Sequence, residues 1–366
     1  MSNFEDSINQ IAALYLDNTI QNAEIVKSHS LEILLSFSES DDFLKIMAQN
    51  PDFVGAIVNS ISDPALMHKV LVLLMNLSAN VKLSQLLAEK HLVNRLFEII
   101  TDTMKEVTPQ HLAIEKQFFS HEGSSDPEIK VLNVSKDKIS SKDLPYMLVI
   151  EKIKQSIFIL INLTKHAEKA REDVMQYSTT LECSNVLNVI DWLLNPQLKP
   201  LFLDFIDVLM NLSTDSKLRA IMIEHCTKKI FELFNMEIFC GELEFIIKIY
   251  GVIRNLSFEP KNTNLLEAIA NDVFIQQNLA MLQSSSIEGK NKESLAISFV
   301  DTYLALLTSE TFMSGETIQP EKIFTENFSK AVELAHGCST EKDSELDERS
   351  EALIHIVQTH ASPTPN

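Results

Sequence analysis

Apolar positions in this chain gather into short runs, and several of those runs close on the same polar string. Leu74-Met75-Asn76-Leu77-Ser78, Leu160-Ile161-Asn162-Leu163-Thr164, Leu209-Met210-Asn211-Leu212-Ser213 and Ile253-Arg254-Asn255-Leu256-Ser257 share two mostly apolar positions followed by Asn-Leu-Ser/Thr. Two degenerate copies, Leu34-Leu35-Ser36-Phe37-Ser38 and Ala305-Leu306-Leu307-Thr308, extend the series to six repeats. From Asn211 to Asn255 is 44 residues, from Asn162 to Asn211 is 49, and from Asn76 to Asn162 is 86, two periods with an insertion. Periods of about 40–47 belong to armadillo and HEAT arrays. Register agrees inside the repeats: ten and eleven residues beyond Asn76, Asn211 and Asn255 stand Leu86-Leu87, Ile221-Met222 and Leu265-Leu266. Twenty beyond stand Leu96, Phe231 and Ile275. The repeat of Asn162 has slipped by about two residues, since Glu172 and Asp173 occupy its matching positions.

The runs predict helices. Val70–Met75 and Ile157–Ile161 are apolar on every side, as a helix sandwiched between neighbouring repeats must be. The β-branched run Ile157-Phe158-Ile159 would also suit a strand, but its length and the lack of glycine-containing hairpin turns decide for helix. Each repeat reads as a short helix, a second helix, and a long helix ending in the string. Polar breaks such as Thr214-Asp215-Ser216 and Glu259-Pro260-Lys261-Asn262 supply cap chemistry for the next helix. The expected fold is all-α: a right-handed armadillo/HEAT-like helical-repeat solenoid over residues 1–310. A polar insertion interrupts it at about 101–145, a helical capping repeat follows over 311–360, and 361–366 form a tail. A solenoid end needs a polar outer face, which the charged run Glu341–Glu351 would supply.

Composition narrows the function. Only 7 residues are glycine, far below the roughly 7% of average usage, which disfavours barrels, doubly wound sheets and phosphate loops. With 51 acidic and 31 basic residues the formal charge is −20, and no Lys/Arg cluster offers a nucleic-acid backbone its counterions. Cys183, Cys226, Cys240 and Cys338 are scattered, as reduced thiols would be. No apolar run approaches the roughly 18 residues of a membrane span, and the first residues carry neither a basic region nor an apolar signal core. A soluble monomer of the cytoplasm, with the nucleus as a second compartment, is expected. Nucleotide loops, zinc-protease and Cys-x-x-Cys motifs and nucleophile elbows are all absent, so neither an enzyme nor a cofactor is expected. His225-Cys226 with Cys240 lacks a fourth ligand at a plausible spacing and reads as buried inert thiols.

The asparagines carry the sharper reading. Asn76, Asn162, Asn211 and Asn255, with Asn133 and Asn327, match the glycosylation sequon, but a chain without a secretory signal does not meet the modifying enzymes. Stacked repeats would set the first four in a row on one face, offering amide donors and acceptors to an extended peptide. The competing expectation is that each bonds its own inter-helix turn. Four residues before each Asn, where import adaptors carry tryptophan, stand Val72, Phe158, Asp207 and Gly251, which removes the case for binding basic import signals.

The stretch Ile249-Tyr250-Gly251-Val252-Ile253-Arg254-Asn255-Leu256-Ser257-Phe258-Glu259 resembles the Gly-x-x-x-x-Leu-Arg-Asn-Cys-Cys-Phe-Glu signature of the small eukaryotic armadillo-like proteins of the Hgh family. The preceding Asn211-Leu212-Ser213 with Arg219 is similar to the family's Asn-Leu-Ser repeat. Leu256 and Ser257 replace the cysteine pair, marking a divergent member. The resemblance implies a folding cofactor that binds an intermediate of translation elongation factor 2 and links it to the cytosolic chaperonin and the heat-shock chaperone. The partner-binding residues it brings together with the ladder are Asn76, Asn162, Asn211, Arg254, Asn255, Phe258 and Glu259. Arg254 is expected to contact the client, or else to pair with Glu259 or an acid of the adjacent repeat. The alternative function is a general armadillo scaffold or transport adaptor for extended peptides.

Overall fold

A computed structural model describes residues 2–118, 143–176, 184–233, 243–259, 263–269, 271–285, 287–308, 323–339 and 345–361. Asn133, Cys183, Cys240 and the greater part of the expected insertion lie outside them. Among the described residues the regular structure is helical, with no strand. The N-terminal unit, Met1–Val208, contains α1 (Ser2–Leu16), α2 (Ala23–Phe37), α3 (Asp41–Ala48), α4 (Pro51–Asn59), α5 (Met67–Ser78), α6 (Val81–Glu89) and α7 (Leu92–Met104). It continues with α8 (Pro109–Phe118), α9 (Leu144–His166), α10 (Glu168–Gln176), α11 (Ser184–Leu194) and α12 (Lys199–Phe202). The division falls within α13 (Phe205–Thr214). The C-terminal unit, Leu209–Asn366, holds α14 (Ser216–Glu232), α15 (Leu243–Ser257), α16 (Thr263–Ile269), α17 (Asp272–Gln283), α18 (Gly289–Leu307), α19 (Glu326–His336) and α20 (Glu345–Ala361).

Within each unit, helices that carry the repeated string stack on a neighbour. In the N-terminal unit α5 lies between α2 and α9; in the C-terminal unit α18 lies between α15 and α20. This sandwiching explains why α5 is apolar all round: Val70, Leu71, Leu73, Leu74 and Leu77 are wholly buried, each burial stabilising by about 1.5–3 kcal/mol before entropy is counted. The leucine of the string is buried in every full copy, as Leu77, Leu163, Leu212 and Leu256. The residue two beyond the string often caps the next helix. Asn80 Oδ1 accepts from the backbone N–H groups of Lys82 and Leu83 at 3.1 and 3.3 Å, and Asp215 Oδ1 accepts from that of Lys217 at 3.0 Å.

Two departures from the expected three-helix repeat have local causes. His91 adopts left-handed backbone, φ 58°, and splits α6 from α7. Within Ser216–Glu232 no residue takes that conformation, so α14 runs unbroken through the matching position. Within the expected insertion, Thr101–Met104 complete α7 and Pro109–Phe118 form α8. No helix among the described residues is long and apolar enough to cross a membrane.

Candidate functional site

Residues four apart share one helix face, so the residue before each asparagine lies beside it: Val72 with Asn76, Phe158 with Asn162, Asp207 with Asn211, Gly251 with Asn255. All eight are half-buried. The face is neither core nor open surface, and it recurs with every full copy of the string.

The asparagines are not all turned toward solvent, nor does each bond its own turn. Asn76 Nδ2 donates to Ser38 Oγ at 2.7 Å, Asn162 Nδ2 to Ser78 Oγ at 3.0 Å, and Asn255 Nδ2 to Ser213 Oγ at 3.0 Å. In each case the acceptor is the serine that ends the string of an earlier helix in the stack. That hydroxyl in turn donates within its own helix, Ser38 to the Leu35 carbonyl at 2.8 Å, Ser78 to that of Met75 at 2.8 Å and Ser213 to that of Met210 at 2.7 Å. The string is therefore a two-ended connector whose Asn reaches back one helix while its Ser receives the helix that follows. Each serine is buried, at 1%, 0% and 0% exposure, where an unpaired hydroxyl would cost about 1–3 kcal/mol. Asn211 also has a partner. The second half of each amide stays available, because no described residue donates to the Oδ1 of Asn76, Asn162 or Asn255.

Sequence reasoning missed Ser38, Ser78 and Ser213 as partners of this face. The signal was present in the recurrence of Ser/Thr two residues after Asn, a spacing that cap formation alone does not require.

Arg254, Phe258 and Glu259 close the face in the C-terminal unit. Arg254 Nη1 lies 3.3 Å from Asp301 Oδ2 in α18, so the acid of an adjacent repeat, and not Glu259, is its partner. Asp301 is 9% exposed and also receives Arg349 of α20, which bridges on to Glu345. The carboxylate thus joins α15, α18 and α20. Arg254 itself remains 47% exposed. Glu259 faces Arg219, with Nε and Oε2 3.9 Å apart. Phe258, one turn beyond Arg254, is 53% exposed. Beside Asn255, Gly251 gives room to Met210: a Cβ there would fall 2.7 Å from the Met210 sulfur.

Among the described residues, neither Cys226 nor the His336, Ser350 and Asp347 cluster is placed for nucleophilic chemistry. Cys226 is wholly buried, and no cluster of three or more His, Cys, Asp or Glu among the described residues could hold a metal ion. His336, Ser350 and Asp347 look like a nucleophile triad in composition. However, Ser350 Oγ and the Asp347 carboxylate both address Nδ1 of His336, at 2.8 and 3.7 Å, and Ser350 is wholly buried. A serine nucleophile needs its hydroxyl exposed and the two partners on opposite ring nitrogens.

No family model matches the chain, and no curated protein matches it. Among solved structures it is similar to an engineered protein from the Northeast Structural Genomics Consortium, with a TM-score of 0.52 and 10% identity over 82% of this chain and 97% of that one. A second engineered protein from the same consortium gives a TM-score of 0.48 and 13% identity over 96% and 88%. At such identity the first likeness shows fold alone. Fold and repeated connector together define an all-α helical-repeat protein.

Proposed function

We propose that this chain is a right-handed armadillo-type repeat protein acting without catalysis as a folding cofactor. It would hold an intermediate of translation elongation factor 2 in the cytoplasm and hand it between the heat-shock chaperone and the cytosolic chaperonin. The client and chaperones rest on the resemblance at Ile249–Glu259. The physical support is one observation, made in each unit by itself: at half-buried positions the amide oxygens of Asn76 and Asn162 in the N-terminal unit, and of Asn255 in the C-terminal unit, accept no bond from any described residue. Such oxygens suit the backbone N–H groups of an incompletely folded, extended segment. Exposed Phe258 beside the Arg254 guanidinium adds an apolar and a charged contact.

Affinity capture from a eukaryotic cytosolic extract tests the reading. Elongation factor 2 should be enriched with chaperonin subunits, and Phe258→Ser should reduce the yield while leaving the thermal melt unchanged. Phe258 is the residue to change because it is the most exposed of the set, whereas alanine at Asn255 removes a structural bond. Recovery of transport receptors or another assembly, without elongation factor 2, would move the function to the general scaffold.

A further inference from the structure

Exposed large apolar side chains are unevenly spread. Five of the nine among the described residues, Leu14, Leu16, Ile25, Ile33 and Phe37, lie on α1 and α2. Ile33 and Phe37 are one turn apart on α2 and share a face. Phe37 continues into a groove of about 440 Å³ between the start of α1, the end of α2 and α3. Its floor is Phe4 packed edge-on against Phe37, centroids 5.2 Å apart, with Ile46 beside them; Glu5, Asp42 and Lys45 stand on the rim.

Charge tells which partner fits. Glu5 and Asp6 on α1, and Glu39, Asp41 and Asp42 at the α2–α3 junction, are all exposed. Lys45 pairs with Asp42 at 3.2 Å; among the described residues the other four carboxylates meet no basic group. An apolar floor with Glu5 unpaired at its rim, and with Asp6, Glu39 and Asp41 close by in sequence, is complementary to a helix with apolar anchors on one face and Lys or Arg along its edges. Grooves between packed helices accept such ridges. We infer that the α1–α2–α3 groove docks a basic amphipathic helix of a partner protein.

A labelled synthetic helical peptide with Leu at i, i+3, i+4 and i+7 and Lys on both flanks is the probe, read by fluorescence anisotropy against the full chain. Saturable binding should weaken roughly tenfold on Phe37→Ser, the loss expected from one buried aromatic anchor, and should weaken also on Glu5→Lys, a change at an exposed position that spares the fold. Val273→Ser, at an exposed apolar residue in the C-terminal unit, should change nothing. A peptide with Glu flanks should bind far less. Binding by Phe37→Ser as tight as by the unmodified chain, or equal binding of a peptide whose leucines are replaced by serine, would show only attraction to the net negative charge and overturn the inference; binding undiminished by Glu5→Lys would overturn the choice of a basic partner. Self-association of the unmodified chain that vanishes in Phe37→Ser would also overturn it, by making a second copy the occupant.

Discussion

The amide of Asn255 has two ends with different duties, since its N–H ties α15 to Ser213 while its oxygen is left for another partner. Removing the first duty should be measurable by itself. Asn255→Ala is expected to cost about 1 kcal/mol in urea unfolding. A double-mutant cycle with Ser213→Ala should return a coupling of roughly 0.5–1 kcal/mol; zero coupling would mean the bond adds nothing in solution. His111 offers a test of another kind. The Thr108 backbone N–H donates to its Nδ1 at 3.0 Å, so that nitrogen is an acceptor and the ring is neutral with its proton on Nε2. Burial, opposed in part by Glu106, holds its pKa below the ordinary 6.5. The unfolded chain therefore takes up the proton at a higher pH than the folded one. The stabilisation is complete above 6.5 and is lost as pH falls through the window beneath it. Nuclear magnetic resonance titration should place the His111 midpoint below 6.5, and His111→Gln should flatten the decline of the melting temperature on the acid side.

Helix boundaries can be placed from the sequence where side chains make them, whereas a break made by the backbone, expected in every repeat, is present between α6 and α7 and absent from α14. The polar break after Ser78 is a boundary of the first kind, and Asn80→Ala should cost about 1 kcal/mol, seen as a lower urea midpoint. The α6–α7 break rests instead on the left-handed backbone of His91, which nothing in its neighbours announces. A non-glycine residue there costs roughly 1–2 kcal/mol. His91→Gly should then leave stability unchanged or raise it, although glycine in a helix interior lowers it; a marked fall in the melting temperature would contradict the assignment. The slipped register after Asn162 has a similar explanation. Asp173, standing where other repeats place an aliphatic residue, is buried and held by Lys169 at 2.6 Å, while Val174 and Met175 supply the apolar contact.

In a stack of repeats each helix is supported chiefly by its neighbours, so damage should stay local. Ser213→Ala is expected to speed amide hydrogen exchange in α13 and α15 while leaving α3 to α7 at their original protection. Uniform acceleration from end to end would instead mean a single cooperative structure.

Repeat length, helical character and the positions of the string are legible in one dimension because burial on all sides forces a continuous apolar run, and a helix that ends must show polar turn and cap residues. The candidate face was legible as a set of equivalent asparagines for the same reason. The partners were not. Ser38 is 38 residues from Asn76, and Ser78 is 84 from Asn162; Arg254 meets Asp301 rather than the nearby Glu259. A hydrogen bond or ion pair between helices depends on how they stack and turn against each other, and that arrangement is set by the packing of distant side chains, not by local spacing.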